Sequence, residues 1–517
     1  MNPTRVFVIG LDGATFDLLD PWIGEGRLPH FKRMMENSTY SRLESTIPPI
    51  TPPAWTSFMT GVNPGKHGIL DFFTLKENSF EKVLVNSSHV RSKRFWDLAR
   101  EKGKKSIILY VPLTYPPQKV EGVMISGIPA PTHGEFIYPK EMGGELEEKL
   151  GRWWAEPDGD KLKDFREETF LSEFYQTLET RFKVANYLMT KEWDIFVFVI
   201  METDWMQHFM WGEKDRCLLP LYMKIDGMIG HFMELLKEED VLLMMSDHGF
   251  GPIQKTFYLN PWLREKGFLV SKREWGSSKE KQDMGIFHLQ KGPSLVRKIK
   301  QLIGKKRVGV HWGKAQAYSI NGLYSHGVRI NLRGREPEGV VKPEEYDQVR
   351  NRVMEALKLA MDEQEGRRVI EQVFRREDIY RGPYMRNAPD VIFVPNCEYK
   401  VSDRIGDKIF KKNKPGGSFH RPEGILILQG PGIKKGKKIM GAHIMDIAPT
   451  LLYLLGLTVP KDFDGKVLTE ALEPEVLKAY PIRTEDIPLE IEAAEFVITE
   501  AEEKEMRKKL QGLGYMD

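Results

Sequence analysis

Val241-Leu-Leu-Met-Met-Ser-Asp-His-Gly-Phe250 is an apolar run that stops at a carboxylate, an imidazole and a glycine. A short, continuous apolar run bounded by turn residues predicts a central strand of a parallel sheet, buried on both faces. Ligands of open α/β sheets bind outside the carboxyl ends of the strands. Asp247 and His248 could therefore belong to a metal site, a nucleophile triad or a structural turn, and the rest of the chain decides among these.

Two further strands end in a similar way. Val6 to Leu11 runs directly into Asp12, although an isolated Asp-Gly pair is also a common turn. Trp193 to Met201 is rich in β-branched and aromatic residues and is followed by Asp204 and His208. Because these two residues are four apart, one helical turn puts both on the same face, which is a good arrangement for metal ligands.

The order of strands and helices predicts the fold class. Apolar strands at the start of the chain and near residues 107, 197 and 243 alternate with helical segments. This alternation is typical of an α/β fold in which a mostly parallel central sheet carries helices on both faces.

Changes in composition predict the domain organisation. Residues 1–250 and 326–475 carry the strand pattern and form the expected core. Residues 251–325 mix charged, glycine and aromatic residues with little sheet pattern, which suggests an inserted cap with a mobile loop at residues 276–283. Residues 476–517 are expected to form an acidic tail that ends in a charged helix.

Thr51-Pro-Pro-Ala-Trp-Thr-Ser-Phe-Met-Thr-Gly61 reads as a short helix with Thr51 as its N-cap and Gly61 as its end. A hydroxyl at a helix N-terminus lies in positive potential beside unpaired N–H groups. That setting favours an alkoxide and a bound anion such as phosphate. A threonine that only caps the helix is the commoner explanation of an isolated Thr-Pro pair.

Composition excludes several classes of protein. The 517 residues include 76 basic and 74 acidic ones, a net charge of +2, so a nucleic-acid polymer is not expected as a partner. Two cysteines are too few for a disulfide framework or a thiolate zinc site. The apolar run near the N-terminus is too short for the apolar region of a signal peptide, and no stretch approaches the roughly 18 consecutive apolar residues of a membrane helix, so we expect a cytoplasmic protein. Nothing in the sequence indicates an oligomeric state.

The candidate functional residues lie at strand ends or in adjoining turns: Asp12, Thr51, Asp204, His208, Asp247, His248 and, in an expected flexible turn, His420. Oxygen and imidazole ligands without thiolate suit zinc, with manganese as the second choice. Three aspartates and three histidines are more than one tetrahedral ion can use, so two divalent ions are expected. Two ions about 3.5–4 Å apart can stabilise both oxygens of a phosphoryl displacement.

These motifs resemble those of the alkaline phosphatase superfamily, and within it the type I phosphodiesterase/nucleotide pyrophosphatase family. The matching segments are Gly-Leu-Asp12-Gly, the Thr51 segment with Asn63-Pro-Gly-Lys-His-Gly after it, Asp204-x-x-x-His208, Ser-Asp247-His248-Gly, and His420 before Gly424-Ile-Leu-Ile-Leu-Gln-Gly-Pro-Gly. The segment Asp446-Ile-Ala-Pro-Thr, with Asp464-Gly after it, resembles the family's closing segment.

The resemblance implies a reaction and an assignment of ligands. It implies one zinc ion held by Asp204, His208 and His420, and a second held by Asp12, Asp247 and His248, with Thr51 as a further ligand and the nucleophile on the second ion. Thr51 would attack a phosphodiester or a nucleotide pyrophosphate bond of a small molecule in line, and water would then hydrolyse the phosphothreonine intermediate.

The chain departs from the family pattern at Ala54. Nucleotide pyrophosphatases carry an asparagine at this position, which donates to a phosphate oxygen, so another donor such as Lys66, His67 or a cap residue would have to replace it. His326, just after the cap, could reach the site or be structural. Trp55 is expected in the core.

Other activities share the same ligands. A phosphomonoesterase, a phosphonate hydrolase or a phosphotransferase of this superfamily would use every metal ligand named above. A sulfatase needs a Cys/Ser-x-Pro-x-Arg motif, and neither cysteine of the chain lies in one. A non-catalytic binding protein on this fold would be expected to lose ligands, yet every expected ligand is present.

Overall fold

The structure is a computed structural model that describes residues 5–76, 79–132, 134–151, 153, 156–157, 167–274, 307–320, 326–492, 496 and 498–515. Its main sheet has ten described strands. They are β1 (Val6–Leu11), β2 (Thr39–Glu44), β3 (Ser106–Leu109), β4 (Gly122–Ile125), β5 (Ile137–Tyr138), β6 (Ile195–Ile200), β7 (Val241–Met245), β8 (Glu423–Gln429), β9 (Lys437–Lys438) and β10 (Ala442–His443).

The middle of this sheet is parallel. The strand order is β9-β2-β8-β7-β1-β6-β3-β4-β5, and β10 also pairs with β2. All neighbours from β7 to β4 run parallel, whereas β8 is antiparallel to both β7 and β2, and β5 is antiparallel to β4. In register, Val6 pairs with Val241 on one side and with Ile195 on the other. The expected mostly parallel sheet is confirmed.

Both faces of the sheet are covered. Every residue of β1, β6 and β7 is buried, and because successive side chains of a strand point to opposite faces, neither face meets solvent. The α-helices of the described residues are Phe16–Gly24, Pro29–Glu36, Thr51–Thr60, Pro64–His67, Phe95–Arg100, Glu141–Leu150, Glu167–Leu188, Glu202–Met210, Leu219–Leu235, Leu259–Glu265, Tyr346–Lys358, Arg376–Ile379, Ile447–Leu454, Pro474–Ala479 and Glu500–Gly512. Among the helices described, none combines the length and the apolar character needed to cross a membrane.

A second hydrophobic cluster, separate from the main core, draws its residues from Phe257 to Val401. Around it lie a three-stranded sheet (Tyr399–Ser402, Lys255–Tyr258, Phe410–Lys412) and a four-stranded sheet (Ala317–Tyr318, Gly327–Ile330, Val391–Pro395, Ile370–Arg375), each given in spatial order. The remaining strand pairs are Phe73–Leu75 with Lys82–Leu84, Gly249–Pro252 with Ser418–Arg421, Ser271–Glu274 with Arg307–Val310, Met361–Asp362 with Arg367–Arg368, and Val459–Pro460 with Thr484–Glu485.

Residues 251–325 contribute to several of these small sheets. The strands described there have four residues or fewer, which is too short for an alternating pattern to be read from the sequence. Lys255–Tyr258 pairs with Tyr399–Ser402, which lies far along the chain. The loop expected at 276–283 lies outside the described residues, and the boundaries of the cap stay a prediction.

Candidate active site

Thr51 is the first residue of the buried helix Thr51–Thr60. The N-cap is Ile50 and not Thr51, because the Ala54 N–H bonds to the Ile50 carbonyl and starts the helix one residue earlier than expected. Gly61, in the left-handed region with φ +67°, ends the helix as expected. Pro52 and Pro53 lack an N–H, so this helix start has fewer backbone donors for an anion than an ordinary one.

Asp12, Asp247 and His248 meet beside Thr51, at the carboxyl ends of β1 and β7. His248 Nε2 lies 3.5 Å from Asp12 Oδ1 and 3.3 Å from Asp247 Oδ2. Thr51 Oγ1 lies 3.4 Å from the same nitrogen. A Cβ on Gly249 would come within 2.0 Å of the Glu423 carbonyl oxygen, so only glycine fits directly after His248.

Asp204, His208 and His420 form the adjoining group. Asp204 and His208 lie one turn apart on the helix Glu202–Met210, as their spacing predicted. Asp204 Oδ2 lies 3.5 Å from His208 Nε2, and Asp204 Oδ1 lies 3.4 Å from His420 Nε2. The two histidine Nε2 atoms are 3.1 Å apart.

His420 lies on a strand and not in the flexible turn expected from its glycines. Ser418–Arg421 pairs antiparallel with Gly249–Pro252, so His420 is opposite Phe250. Because the partner strand directly follows Asp247 and His248, this pairing stacks the His420 ring on the His248 ring, with ring centroids 3.9 Å apart. All seven candidate residues are thereby brought to one place.

The donor atoms of these side chains fit divalent cations. Within the described part of the chain, one carboxylate oxygen of each aspartate, Asp12 Oδ1, Asp204 Oδ1 and Asp247 Oδ2, is buried without a hydrogen-bond partner. Such unpaired buried acceptors are costly unless a cation balances them. Among the described residues, two sets of three side chains could each hold an ion, because the ligand atoms within each set all lie within 4.8 Å of one another. The sets are Asp12 with Asp247 and His248, and Asp204 with His248 and His420. His248 is common to both groups, and the division of ligands between two ions stays a prediction.

The histidines have the protonation state that a metal ligand needs. Burial lowers the pKa of His208, His248 and His420 to about 3, so all three are neutral. Nδ1 of His248 lies 3.1 Å from the Gly249 carbonyl oxygen, and Nδ1 of His420 lies 3.1 Å from that of Pro49. If each Nδ1–H donates to its carbonyl, the lone pair of Nε2 points into the site.

The carboxylates repel one another. Burial and then the charges of Asp247 and Asp204 raise the pKa of Asp12 well above its usual value. Burial and then the charge of Asp204 do the same for the pKa of Asp247. Divalent cations, when bound, would offset this repulsion between three acidic groups in a buried space.

A cavity of about 100 Å³ opens onto Thr51. Its lining includes His208, His420, Phe419, Lys400 and Tyr515. Lys400 comes from the strand Tyr399–Ser402, whose Tyr399 and Val401 are buried in the second hydrophobic cluster. Because strand residues alternate, Lys400 points the other way, and its charge acts on both His208 and His420.

Two further side chains bind the candidate ligands directly. The Trp55 indole N–H donates to Asp12 Oδ2 at 2.8 Å, and the Tyr515 hydroxyl donates to Asp204 Oδ2 at 2.8 Å. Trp55 is in the core as expected, where a Cβ on Gly10 would come within 2.4 Å of its ring. The glycine inside β1 was a sequence signal for that close contact. Tyr515 had no such signal.

The other donors considered from the sequence lie away from this cavity. Lys66 bonds to Asp464 Oδ1 at 2.8 Å, and His67 Nε2 lies 3.0 Å from Ser57 Oγ. His326 is buried and is not among the residues that line the cavity. These residues therefore do not replace the family's asparagine, whereas Lys400, which the sequence analysis missed, lines the cavity.

The sequence matches one family model. Residues 6–420 match the model of type I phosphodiesterase/nucleotide pyrophosphatase. No curated protein matches the sequence.

Solved structures with a similar fold include members of three enzyme groups. Human ectonucleotide pyrophosphatase/phosphodiesterase 5 is 14% identical with a TM-score of 0.50, and the match covers 91% of this chain and 100% of that one. A mutant of the alkaline phosphatase PafA is 16% identical with a TM-score of 0.55, covering 92% and 99%. Phosphonoacetate hydrolase from Sinorhizobium meliloti 1021 is 14% identical with a TM-score of 0.53, covering 88% and 95%. At these identities the likeness shows the fold.

The family match spans most of the chain, and the fold agrees with it. The family is metal-dependent, and clusters of candidate metal ligands are present. The chain therefore belongs to the type I phosphodiesterase/nucleotide pyrophosphatase family and is a phosphoester hydrolase, with a fold like that of an alkaline phosphatase.

Proposed function

We propose that this protein cleaves small phosphodiesters, with nucleotide pyrophosphate bonds included, by nucleophilic attack of Thr51. The observation that carries the proposal is the position of Thr51 Oγ1. It lies 3.4 Å from His248 Nε2, at the start of a buried helix. The same nitrogen lies within 3.5 Å of Asp12 and Asp247 oxygens that have no hydrogen-bond partner within the described part of the chain. A hydroxyl in such a place is poised for activation as a nucleophile.

The reaction has two displacements at phosphorus. Thr51 Oγ loses its proton and forms a bond to phosphorus as the bond to the leaving oxygen breaks, and the leaving oxygen takes up a proton. Water then forms a bond to the same phosphorus, the bond to Thr51 Oγ breaks, and the threonine hydroxyl is restored. Divalent ions, when bound, lower the pKa of an oxygen nucleophile and stabilise charge on the leaving oxygen.

The protein's own part in this reaction is positioning. The hydrogen bonds from Trp55 to Asp12 and from the Gly13 N–H to Asp247 Oδ1, at 3.2 Å, hold these two carboxylates beside Thr51. Residues at carboxyl ends of parallel strands are held rigidly, so the approach of phosphorus to Thr51 needs little reorganisation. Lys400 is the cation that we assign to the phosphate oxygens of the substrate, in place of the family's asparagine.

Lys400 also supports a second candidate, a phosphomonoesterase. A phosphate monoester carries up to two negative charges near neutral pH and a diester carries one, so a cation in the cavity favours the monoester. The cavity is lined by Lys400 and by aromatic Phe419 and Phe72, which could equally pack against the second ester group of a diester.

We expect purified protein with added Zn²⁺ or Mn²⁺ to hydrolyse bis-p-nitrophenyl phosphate faster than p-nitrophenyl phosphate. Release of p-nitrophenol is measured for both substrates, with and without a chelator. Faster diester cleavage that the chelator abolishes supports the proposal. Faster monoester cleavage would replace it by the phosphomonoesterase, and chelator-resistant activity would contradict metal dependence.

Lys400→Met should lower kcat/KM by about 10- to 100-fold, since a charge-assisted hydrogen bond contributes about 1.5–3 kcal/mol. Methionine keeps much of the side-chain stem and removes the charge. The loss should be larger for p-nitrophenyl phosphate than for bis-p-nitrophenyl phosphate, because the monoester carries more charge. Lys411→Met, at an exposed position of the same three-stranded sheet, is the matched control. Equal losses of kcat/KM in both variants would show that Lys400 does not bind the substrate.

A further inference from the structure

The helix Glu500–Gly512 of the tail is anchored on the core. Met506, Leu510 and Leu513 are buried in the main hydrophobic cluster. Two polar contacts fix the helix further: Tyr115 donates to Glu502 Oε1 at 3.0 Å, and Lys509 Nζ donates to the Ala130 carbonyl at 3.0 Å. This helix is therefore packed as part of the core.

The residues after this helix turn toward the candidate active site. Gly514 has φ +89°, the left-handed conformation that commonly ends a helix. The Tyr515 N–H then donates to the Leu510 carbonyl at 2.9 Å, which fixes the backbone of Tyr515. The Tyr515 ring lies 5.0 Å from the Phe72 ring and 6.1 Å from the His208 ring, centroid to centroid.

The Tyr515 hydroxyl binds one of the two oxygens of the Asp204 carboxylate. It donates to Asp204 Oδ2 at 2.8 Å. The other oxygen, Asp204 Oδ1, has no hydrogen-bond partner among the described residues and lies 3.4 Å from His420 Nε2. Tyr515 thus holds Oδ2, which also lies 3.5 Å from His208 Nε2, and leaves Oδ1 facing His420.

We propose that Tyr515 is a positioning residue of the metal site: its hydroxyl holds the Asp204 carboxylate in the orientation in which Oδ1 can bind a divalent ion. The proposal rests on the proposed function, since it assumes that Asp204 is a ligand. In this proposal the helix Glu500–Gly512 contributes to the active site, because its packing on the core places Tyr515 beside a carboxylate 311 residues away in the chain.

The test compares Tyr515→Phe with Tyr115→Phe. The first variant removes only the hydroxyl that bonds to Asp204. The second removes a hydroxyl that bonds to the tail helix and does not touch the site. Zn²⁺ affinity is measured by calorimetric titration of metal-free protein against a competing chelator, and Tm is recorded for each metal-free protein.

Tyr515→Phe should weaken Zn²⁺ binding at one site by about 10- to 100-fold, the usual cost of losing a hydrogen bond to a metal ligand. Tyr115→Phe should bind Zn²⁺ as the wild type does. Wild-type affinity in Tyr515→Phe would overturn the proposal and leave the proposed function standing. Equal weakening in both variants would also overturn it, because that result assigns the effect to docking of the tail. Failure of the wild-type protein to bind any divalent ion would overturn both.

Discussion

The Thr51→Ala protein is expected to bind divalent ions as the wild type does and to lose turnover by on the order of 10⁴- to 10⁶-fold. The loss is large because the covalent intermediate cannot form without the Thr51 hydroxyl, and direct attack by water is much slower. Binding of ions should persist because six other side chains supply donor atoms. The helix should persist as well, since Thr51 does not cap it. Hydrolysis of bis-p-nitrophenyl phosphate and elemental analysis measure the two quantities.

Two control variants distinguish loss of the Thr51 hydroxyl from disturbance of the helix that carries it. Thr51→Ser keeps a nucleophilic oxygen and should retain measurable turnover. Thr56→Ala removes a buried hydroxyl from the same helix, where it donates to the Pro52 carbonyl at 2.7 Å, and should leave turnover within a few-fold of the wild type. Mass spectrometry of acid-quenched wild-type protein should find phosphate on the peptide that contains Thr51. Full activity of Thr51→Ala would rule out its role as nucleophile.

Asp247→Ala is expected to lower the amount of bound metal and to reduce turnover by at least about 10³-fold, because both the charge and the donor oxygen are removed. Asp247 Oδ2 is one of the buried oxygens without a hydrogen-bond partner among the described residues, and it lies 3.3 Å from His248 Nε2. Metal analysis after dialysis gives the stoichiometry, and Tm with and without Zn²⁺ gives the stabilisation by binding.

Comparing Tm of the metal-free and the Zn²⁺-loaded protein distinguishes loss of a metal ligand from general destabilisation. Without ions, removal of one of three mutually repelling carboxylates should not lower Tm through lost charge pairing, whereas the rise of Tm on adding Zn²⁺ should shrink. Asp226→Asn is the control, because Asp226 accepts hydrogen bonds from the backbone of His30 and Phe31 and is not among the candidate ligands. Unchanged metal content in Asp247→Ala would show that Asp247 is not a ligand.

Lys400 lies between the second hydrophobic cluster and the candidate active site. Its strand packs in that cluster, and its side chain lines the cavity over Thr51. Substrate choice in this protein would then depend on residues outside the main sheet, while the reaction itself depends on strand ends within it. This division is common in enzymes, where loops and added segments set specificity on a rigid scaffold.

The sequence by itself determined the central sheet and the candidate ligands. Apolar runs such as Val241–Met245 predict buried strands because their burial is a local property of composition, and the spacing of Asp204 and His208 predicts one helix face because helical geometry is local. Parallel strands bring their carboxyl ends to one edge of the sheet, so the positions of Asp12 and Asp247 at strand ends were enough to predict that they would meet.

Only the tertiary structure decided which side chains hold and surround those residues. The strand around His420 forms because a distant strand pairs with it, so its glycines gave the wrong expectation of a flexible turn. Trp55 and Tyr515 reach their aspartates across 43 and 311 residues of chain. Such contacts leave no periodic pattern in the sequence. They exist because packing of the core brings remote segments together, and the chain alone could not show which of its many polar residues would meet.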